Sequence, residues 1–227
     1  MPDTDDAKRR LGIMAAQRIS SGTRLGIGSG TTARAFIEAL GRRVAEEGLD
    51  VTCTAASSVS ERLAAHYGMT VIPLTEARDL DLAVDGADAI GTEGVLIKGG
   101  GAALVRERLV IASARHRLIL VDDSKPIGPL HNVSVPIAVI PFGWTYVMAQ
   151  VLTFAAQVTL RTLEAKPIVT DDGLYVLDAQ FANLSDPLAM HQSLKLIEGV
   201  ADTGIFAGYN PEIWVGNAQT EWPLQSF

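Results

Sequence analysis

Apolar positions in the first 130 residues alternate between short unbroken runs and stripes at helical spacing. Residues 7–20 carry a pattern that predicts an opening helix, and LGIG at 25–28 has the character of a buried strand. TTARAFIEALG then places Ala35, Phe36, Ala39 and Leu40 at helical spacing, with Gly41 as the expected stop. VTCTAAS at 51–57 predicts a strand, followed by a helix around 58–67 and strands at 70–74 and 81–84. A helix near 102–115 leads into the strand LILVDD at 118–123. Strands alternating with helices predict an α/β fold whose main domain is Rossmann-like, built on a mostly parallel sheet.

The pattern changes near residue 131. VSVPIAVIP predicts a strand, a helix begins around Trp144, and IVTDDGLYVLDAQ reads as a hairpin turning at Asp172-Gly173. Asp186-Pro187 opens a helix, Asp as N-cap and Pro at the first helical position, and Gly199 is its expected close. Residues 131–206 are therefore expected to form a second, smaller α+β domain. The apolar run EIWVG at 212–216 is expected to rejoin the first sheet, so that 1–130 plus 207–227 form the catalytic domain.

Composition narrows the function. A net charge of −7 argues against a general nucleic-acid binder, although a few local donors can still hold an anionic ligand. The lone cysteine, Cys53, cannot form an internal disulfide and suits a reducing compartment. The first residues lack the apolar stretch of a signal peptide, and no run is long enough to cross a bilayer. A cytoplasmic protein without a membrane partner is expected. His66, His116, His131 and His191 are scattered without metal-ligand spacing.

Three segments carry candidate chemistry. GIGSGTT at 26–32 lies between an expected strand and an expected helix, where free backbone N–H groups and the positive helix end suit a phosphate. It is neither a Walker loop nor a full dinucleotide fingerprint, since the third glycine of GxGxxG falls on Thr31. On the residues alone, a glycine turn with Ser or Thr capping a helix is an equal reading. VDGAD sets Asp85 and Asp88 around a glycine after a strand, where ligands bind in open α/β sheets. By itself that motif is more often a plain Asp-Gly turn. Paired carboxylates also suit Mg²⁺, but Lys98 is expected nearby and would compete with a metal.

Lys98 is followed by three glycines, a run with a high entropic cost that lets the backbone pass close to a ligand beside a fixed cation, with a plain flexible loop as the lesser reading. On the helix that follows, Glu107 shares a face with Ala103, Val110 and Ala114 and has no basic residue three or four positions away. A carboxylate on such a stripe suits a general base if the face is buried, and is a solvated charge if it is not. Lys125, in VDDSKPIG, follows another expected strand and would be a surface lysine if it stood alone.

GIGSGTTA, VDGAD, IKGGGAALVRE and DDSK occur in this order, each at the end of an expected strand. The combination resembles ribose-5-phosphate isomerase of the A type. The likeness continues through VIPF at 139–142, IVTDDG at 168–173, LSDPLAM at 184–190 and GIFAG at 204–208, and so covers nearly the whole chain. It implies a cytoplasmic homodimer or tetramer that needs no metal and no cofactor. It also implies interconversion of D-ribose 5-phosphate and D-ribulose 5-phosphate through an enediolate, in the non-oxidative pentose phosphate pathway.

By the same resemblance Glu107 is the base, Asp85 assists ring opening, and Asp88 binds sugar hydroxyls with Gly86 and Ala87 in the same substrate motif. Lys98, Gly99, Gly100 and Gly101 steady the oxygens of the enediolate. Ser29, Gly30, Thr31 and Thr32 match the substrate loop, and Lys8 and Lys125 match the remaining substrate lysines. Three positions depart from the family pattern: Ala138 stands where a glutamate is usual, and Asp172 and Leu174 where asparagines are common. SSVSERL at 57–63 is only a loose match.

Two rivals are a sugar-phosphate deaminase or CoA-transferase-like enzyme on a similar fold, and a non-catalytic sugar-phosphate sensor. The pairing of VDGAD with KGGGAALVRE favours the isomerase over the first. A sensor would be expected to carry a DNA-binding helix-turn-helix, which the short stretch before the glycine loop does not accommodate.

Overall fold

The computed structural model describes residues 4–77 and 79–217. The ends of the expected first domain, 1–3 and 218–227, lie outside the described residues. The chain runs through α1 (Thr4–Gln17), β1 (Arg24–Ile27), α2 (Gly30–Glu47), β2 (Thr52–Ala55), α3 (Ser58–His66), β3 (Thr70–Val71) and β4 (Leu80–Gly86). It continues with β5 (Ala89–Ile90), β6 (Leu96–Ile97), α4 (Leu104–Ala112), β7 (Ala114–Asp122), β8 (His131–Val139) and α5 (Trp144–Val151). The last elements are β9 (Gln157–Leu160), β10 (Thr162–Leu163), β11 (Lys166–Pro167), β12 (Tyr175–Asn183), α6 (Pro187–Lys195), β13 (Val200–Thr203), β14 (Ile205–Phe206) and β15 (Glu212–Gly216). Among the described residues no helix is long and apolar enough to cross a membrane.

Two units emerge: Met1–Ala87, Arg106–Lys125 and Tyr209–Phe227 form one, and Asp88–Val105 with Pro126–Gly208 form the other. The second unit thus includes residues 88–105, 126–130 and 207–208, which the sequence pattern places in the first domain. The physical reason is strand pairing. β5 and β6 are short, buried and apolar like the strands of the main sheet, yet they pair with each other and, through β6, with β14.

The first unit holds a six-stranded sheet in the order β15-β7-β4-β1-β2-β3, and every neighbouring pair is parallel. Leu25, Ile27, Val84, Leu118 and Leu120 from its strands pack with Leu11, Phe36, Ile37 and Leu40 from α1 and α2. Cys53 of β2 is wholly buried, and burial pushes its thiol up to about 12, so it behaves as a small apolar residue. β15 pairs with β7 from Glu212↔Leu118 to Gly216↔Asp122, the return expected for EIWVG. The chain proceeds outward from β1 through β2 to β3, then crosses to the opposite side of β1 with β4. That reversal puts a topological switch point at the carboxyl ends of β1 and β4.

Gly41 does not end α2. The helix continues to Glu47 and stops at Gly48, which takes the left-handed conformation at φ 67° and donates its N–H to the Val44 carbonyl. Gly41 is buried for packing, since a Cβ there would lie 2.3 Å from Cγ of Tyr67.

The second unit is a four-stranded antiparallel sheet, β13-β8-β12-β9, accompanied by α5, α6 and the small sheets β14-β6-β5 and β10-β11. Its core gathers Val135, Ile137, Val139, Val151, Leu177, Phe181 and Leu194. Asp186 caps α6 by accepting the Ala189 N–H at 3.0 Å, with Pro187 in the first turn. The helix ends at Lys195, however, and Gly199, at φ 93°, instead turns the chain into β13.

The expected hairpin is one-sided. Thr170 to Leu174 form the turn, with Gly173 at φ 76°, but its first arm pairs only through Val169↔Tyr175. The turn is tied by the Thr170 hydroxyl, which accepts the N–H groups of Asp172 and Leu174, so asparagine side chains are not needed to close it. Ala138 lies fully buried in β8, opposite Val176 and Asp202, and a glutamate side chain there would enter a packed strand.

Candidate active site

In the first unit the candidate residues gather where the switch point lies. β1 ends at Ile27 and the chain makes a tight turn into α2. Gly28 is held on both sides: its N–H donates to the Val84 carbonyl at 2.9 Å, and its carbonyl accepts the Ser60 hydroxyl at 2.8 Å. Ser60 is itself buried and hydrogen-bonded to Ser57, the N-cap of α3. The loosely matching SSVSERL segment therefore supports the glycine loop, a role that its sequence did not disclose.

Ser29 occupies the N-cap position of α2, but its side chain makes no capping bond. Its hydroxyl donates to Oε1 of Glu107 at 2.7 Å, and its backbone N–H donates to Oδ1 of Asp85 at 3.2 Å. The capping alternative thus fails for Ser29, whose polar groups serve two carboxylates. Gly30, at φ 83°, starts the helix, and Thr31 and Thr32 follow in its first turn, where backbone N–H groups lack helical partners.

Asp85 ends the buried part of β4 and is 2 % exposed. Its Oδ1 also accepts the Gly86 N–H at 2.7 Å. A Cβ on Gly28 would fall 1.9 Å from the Asp85 carboxyl carbon, so only glycine leaves room for that carboxylate. Glu107, in the first turn of α4, is 4 % exposed, and Val110 and Ile111 on the same helix are buried. The face is not solvated, which removes the surface-charge alternative for this carboxylate.

Lys8 in α1 is half-buried and lies 4.0 Å from Oδ2 of Asp122 and 3.8 Å from Asp5. Asp122, the last residue of β7, is 1 % exposed and also accepts hydrogen bonds from the N–H and hydroxyl of Ser124. Sequence reasoning passed over Asp122, although an acid closing the apolar run LILV was the available signal. Lys125 follows in the same turn, its N–H donating to the Asp122 carbonyl at 3.1 Å.

The second unit carries the remaining candidates. Asp88 donates its N–H to the Ile97 carbonyl, and its Oδ2 accepts the Gly100 N–H at 2.8 Å. Lys98 is 2 % exposed, its N–H donates to the Gly204 carbonyl, and its ammonium lies 5.7 Å from the centre of the Phe206 ring. Gly99 stands at φ 102°, a conformation that favours glycine. Residues 85–88 are contiguous, with the division between units after Ala87, and the Lys98–Gly101 segment leads directly into α4. Among the described residues no group of three His, Cys, Asp or Glu side chains is arranged to hold a metal ion.

A parallel sheet with a glycine loop and buried carboxylates at its switch point defines an α/β enzyme of the Rossmann-like kind. The family described as Ribose 5-phosphate isomerase A (phosphoriboisomerase A) matches residues 52–220. The ribose-5-phosphate isomerase A of Methanosarcina acetivorans is 42 % identical over 212 residues, 92 % of this chain and 90 % of the relative. Ribose 5-phosphate isomerase A from Methanocaldococcus jannaschii matches at a TM-score of 0.91 and 31 % identity, over 99 % of both chains. A D-ribose-5-phosphate isomerase in complex with phospho-erythronic acid matches at 0.90 and 31 % identity, over 94 % of this chain and 95 % of its own. The chain belongs to the ribose 5-phosphate isomerase A family.

Proposed function

We propose that this protein interconverts D-ribose 5-phosphate and D-ribulose 5-phosphate by carrying a proton between C2 and C1. The observation that carries the reading is the buried carboxylate of Glu107, held by the Ser29 hydroxyl beside the Asp85 loop. Asp85 assists opening of the furanose ring, and Asp88 engages sugar hydroxyls together with Gly86 and Ala87. In the open aldehyde Glu107 takes the C2 proton, and the electron pair moves onto O1 to give the enediolate. A proton passes from O2 to O1, Glu107 returns its proton to C1, and the C2 carbonyl forms. Hydrogen leaves and returns as a proton, so the reaction is redox-neutral.

A proton beside a carbonyl is weakly acidic, so the base needs donors where charge develops on oxygen. Lys98 and the N–H groups of Gly99 and Gly101 are suited to that task, while the Gly100 N–H holds Asp88 in the same loop. The N-terminal turn of α2, with Ser29, Gly30, Thr31 and Thr32, suits the phosphate, with Lys8 and Lys125 as cationic partners. The protein is expected to act in the cytoplasm as a homodimer or tetramer.

Purified protein supplied with ribose 5-phosphate is expected to form ribulose 5-phosphate at an undiminished rate in excess chelator. Absence of the ketose would overturn the assignment, and loss of activity on chelation would overturn the metal-free mechanism.

A further inference from the structure

Arg161, immediately after β9, belongs to none of the candidate motifs. Its backbone is pinned: the N–H donates to the Val176 carbonyl at 2.8 Å, and its own carbonyl accepts the Ile168 N–H at 3.0 Å. The side chain is only 16 % exposed, and its guanidinium uses all three nitrogens. Nε donates to Oδ2 of Asp178 at 2.8 Å and Nη2 donates to Oδ1, a bidentate pair with a carboxylate of β12. Nη1 donates to two consecutive main-chain carbonyls, Gly99 at 2.7 Å and Gly100 at 3.0 Å.

The loop's own Ala102 N–H also donates to the Gly99 carbonyl at 3.0 Å, but a run of three glycines is otherwise free to rotate, and Nη1 ties both successive carbonyls to one donor. Its consequence follows from peptide geometry. Each peptide unit is planar and trans, so a carbonyl turned toward Arg161 aims the next residue's N–H the opposite way. The Gly99–Gly100 unit shows this directly, because the Gly100 N–H meets Oδ2 of Asp88 at 2.8 Å. By the same geometry the Gly100 carbonyl bond directs the Gly101 N–H away from the guanidinium.

We infer that Arg161, braced by Asp178, is a positioning residue: it sets the peptide planes of the triple-glycine loop, and so fixes the Gly100 N–H on Asp88 and aims the Gly101 N–H at the developing oxyanion. This rests on the isomerase reading above. The guanidinium touches no reacting atom in this account and acts through Gly99 and Gly100. Its loss is therefore expected in kcat, where charge stabilisation is felt, more than in KM, where the phosphate contacts dominate.

The test compares R161A and R161K with wild type for kcat, for KM with ribose 5-phosphate, and for inhibition by phospho-erythronic acid. That acid carries a planar charged carboxylate where the substrate has a neutral carbonyl, so its affinity tracks the loop donors. R161A is expected to lose about 10²-fold in kcat, as a misaimed catalytic donor does, with KM changed by only about twofold. Its inhibition constant should rise in step with the fall in kcat, and millimolar guanidinium should restore part of the rate by refilling the space. R161K keeps the charge but cannot span a carboxylate and two carbonyls, and is expected to lose at least about tenfold in kcat. If R161A does not fold, R161K decides the matter alone. Wild-type kcat in R161K, or a change confined to KM, overturns the inference while leaving the isomerase assignment intact. A wild-type protein without isomerase activity overturns both.

Discussion

Glu107→Gln is expected to leave the fold and ribose 5-phosphate binding intact while kcat falls by ~10²–10⁴-fold, the usual contribution of a positioned general base. The substitution is nearly isosteric, and the amide oxygen can still accept the Ser29 hydroxyl that now meets Oε1 at 2.7 Å. A neutral group also costs less to bury than a carboxylate at a position that is 4 % exposed, so Tm should hold or rise. What disappears is the basicity that accepts the C2 proton. Steady-state kinetics and thermal unfolding on the same preparation check this. A near-normal kcat would remove Glu107 from the base role, and a Tm collapse would show that its charge is structural.

Gly28→Ala is expected to be nearly as damaging by a different route. The new methyl would sit 1.9 Å from Cγ and 2.0 Å from Oδ1 of Asp85. The backbone cannot retreat easily, since both polar groups of Gly28 are bonded, to Val84 and to Ser60. The carboxylate must therefore leave its place, giving up the Ser29 and Gly86 N–H groups that it accepts. Overpacking of this kind costs about 1–3 kcal/mol. In a chain of this size that lowers Tm by roughly 2–4 °C per kcal/mol. Loss of a placed Asp85 should cut kcat/KM by about 10²-fold. Adding Asp85→Ala to Gly28→Ala should recover Tm by removing the clash, yet recover no activity. Wild-type Tm and kcat/KM in the single variant would contradict the arrangement described for this loop.

Local pattern disclosed those parts of the molecule that are decided locally. The strand LGIG, the helix after it and the Asp186-Pro187 opening follow from hydrophobic spacing and capping chemistry, and they form where expected. Gly41 misled because a glycine inside an apolar stripe looks the same whether it ends a helix or admits a neighbouring ring, and only Tyr67 distinguishes the two. β5 and β6 misled for a similar reason: two short buried strands carry no mark of the sheet that they join.

The candidate site was legible where its chemistry is contiguous, as in GIGSGTT, VDGAD and KGGGAALVRE. Burial of Glu107 could be framed as an alternative but not decided, because the Ser29 hydroxyl that meets it lies 78 residues earlier in the chain. The supporting residues were invisible. Arg161 meets Gly99 and Gly100 across 62 and 61 residues, and Ser60 meets the Gly28 carbonyl across 32, separations that no periodicity records. Asp122 lay within a recognised motif, but its partner Lys8 sits at the other end of the unit's sequence.

The claim on which the rest depends is that a carboxylate carries the migrating hydrogen as a proton. Isomerisation of ribose 5-phosphate in D₂O, followed to equilibrium by NMR over many turnovers, tests this most directly. Solvent deuterium should accumulate at C1 of ribulose 5-phosphate and at C2 of the aldose with the wild-type protein, and at neither carbon with Glu107→Gln. Ketose whose C1 hydrogen came wholly from the substrate, at full turnover, would contradict the account.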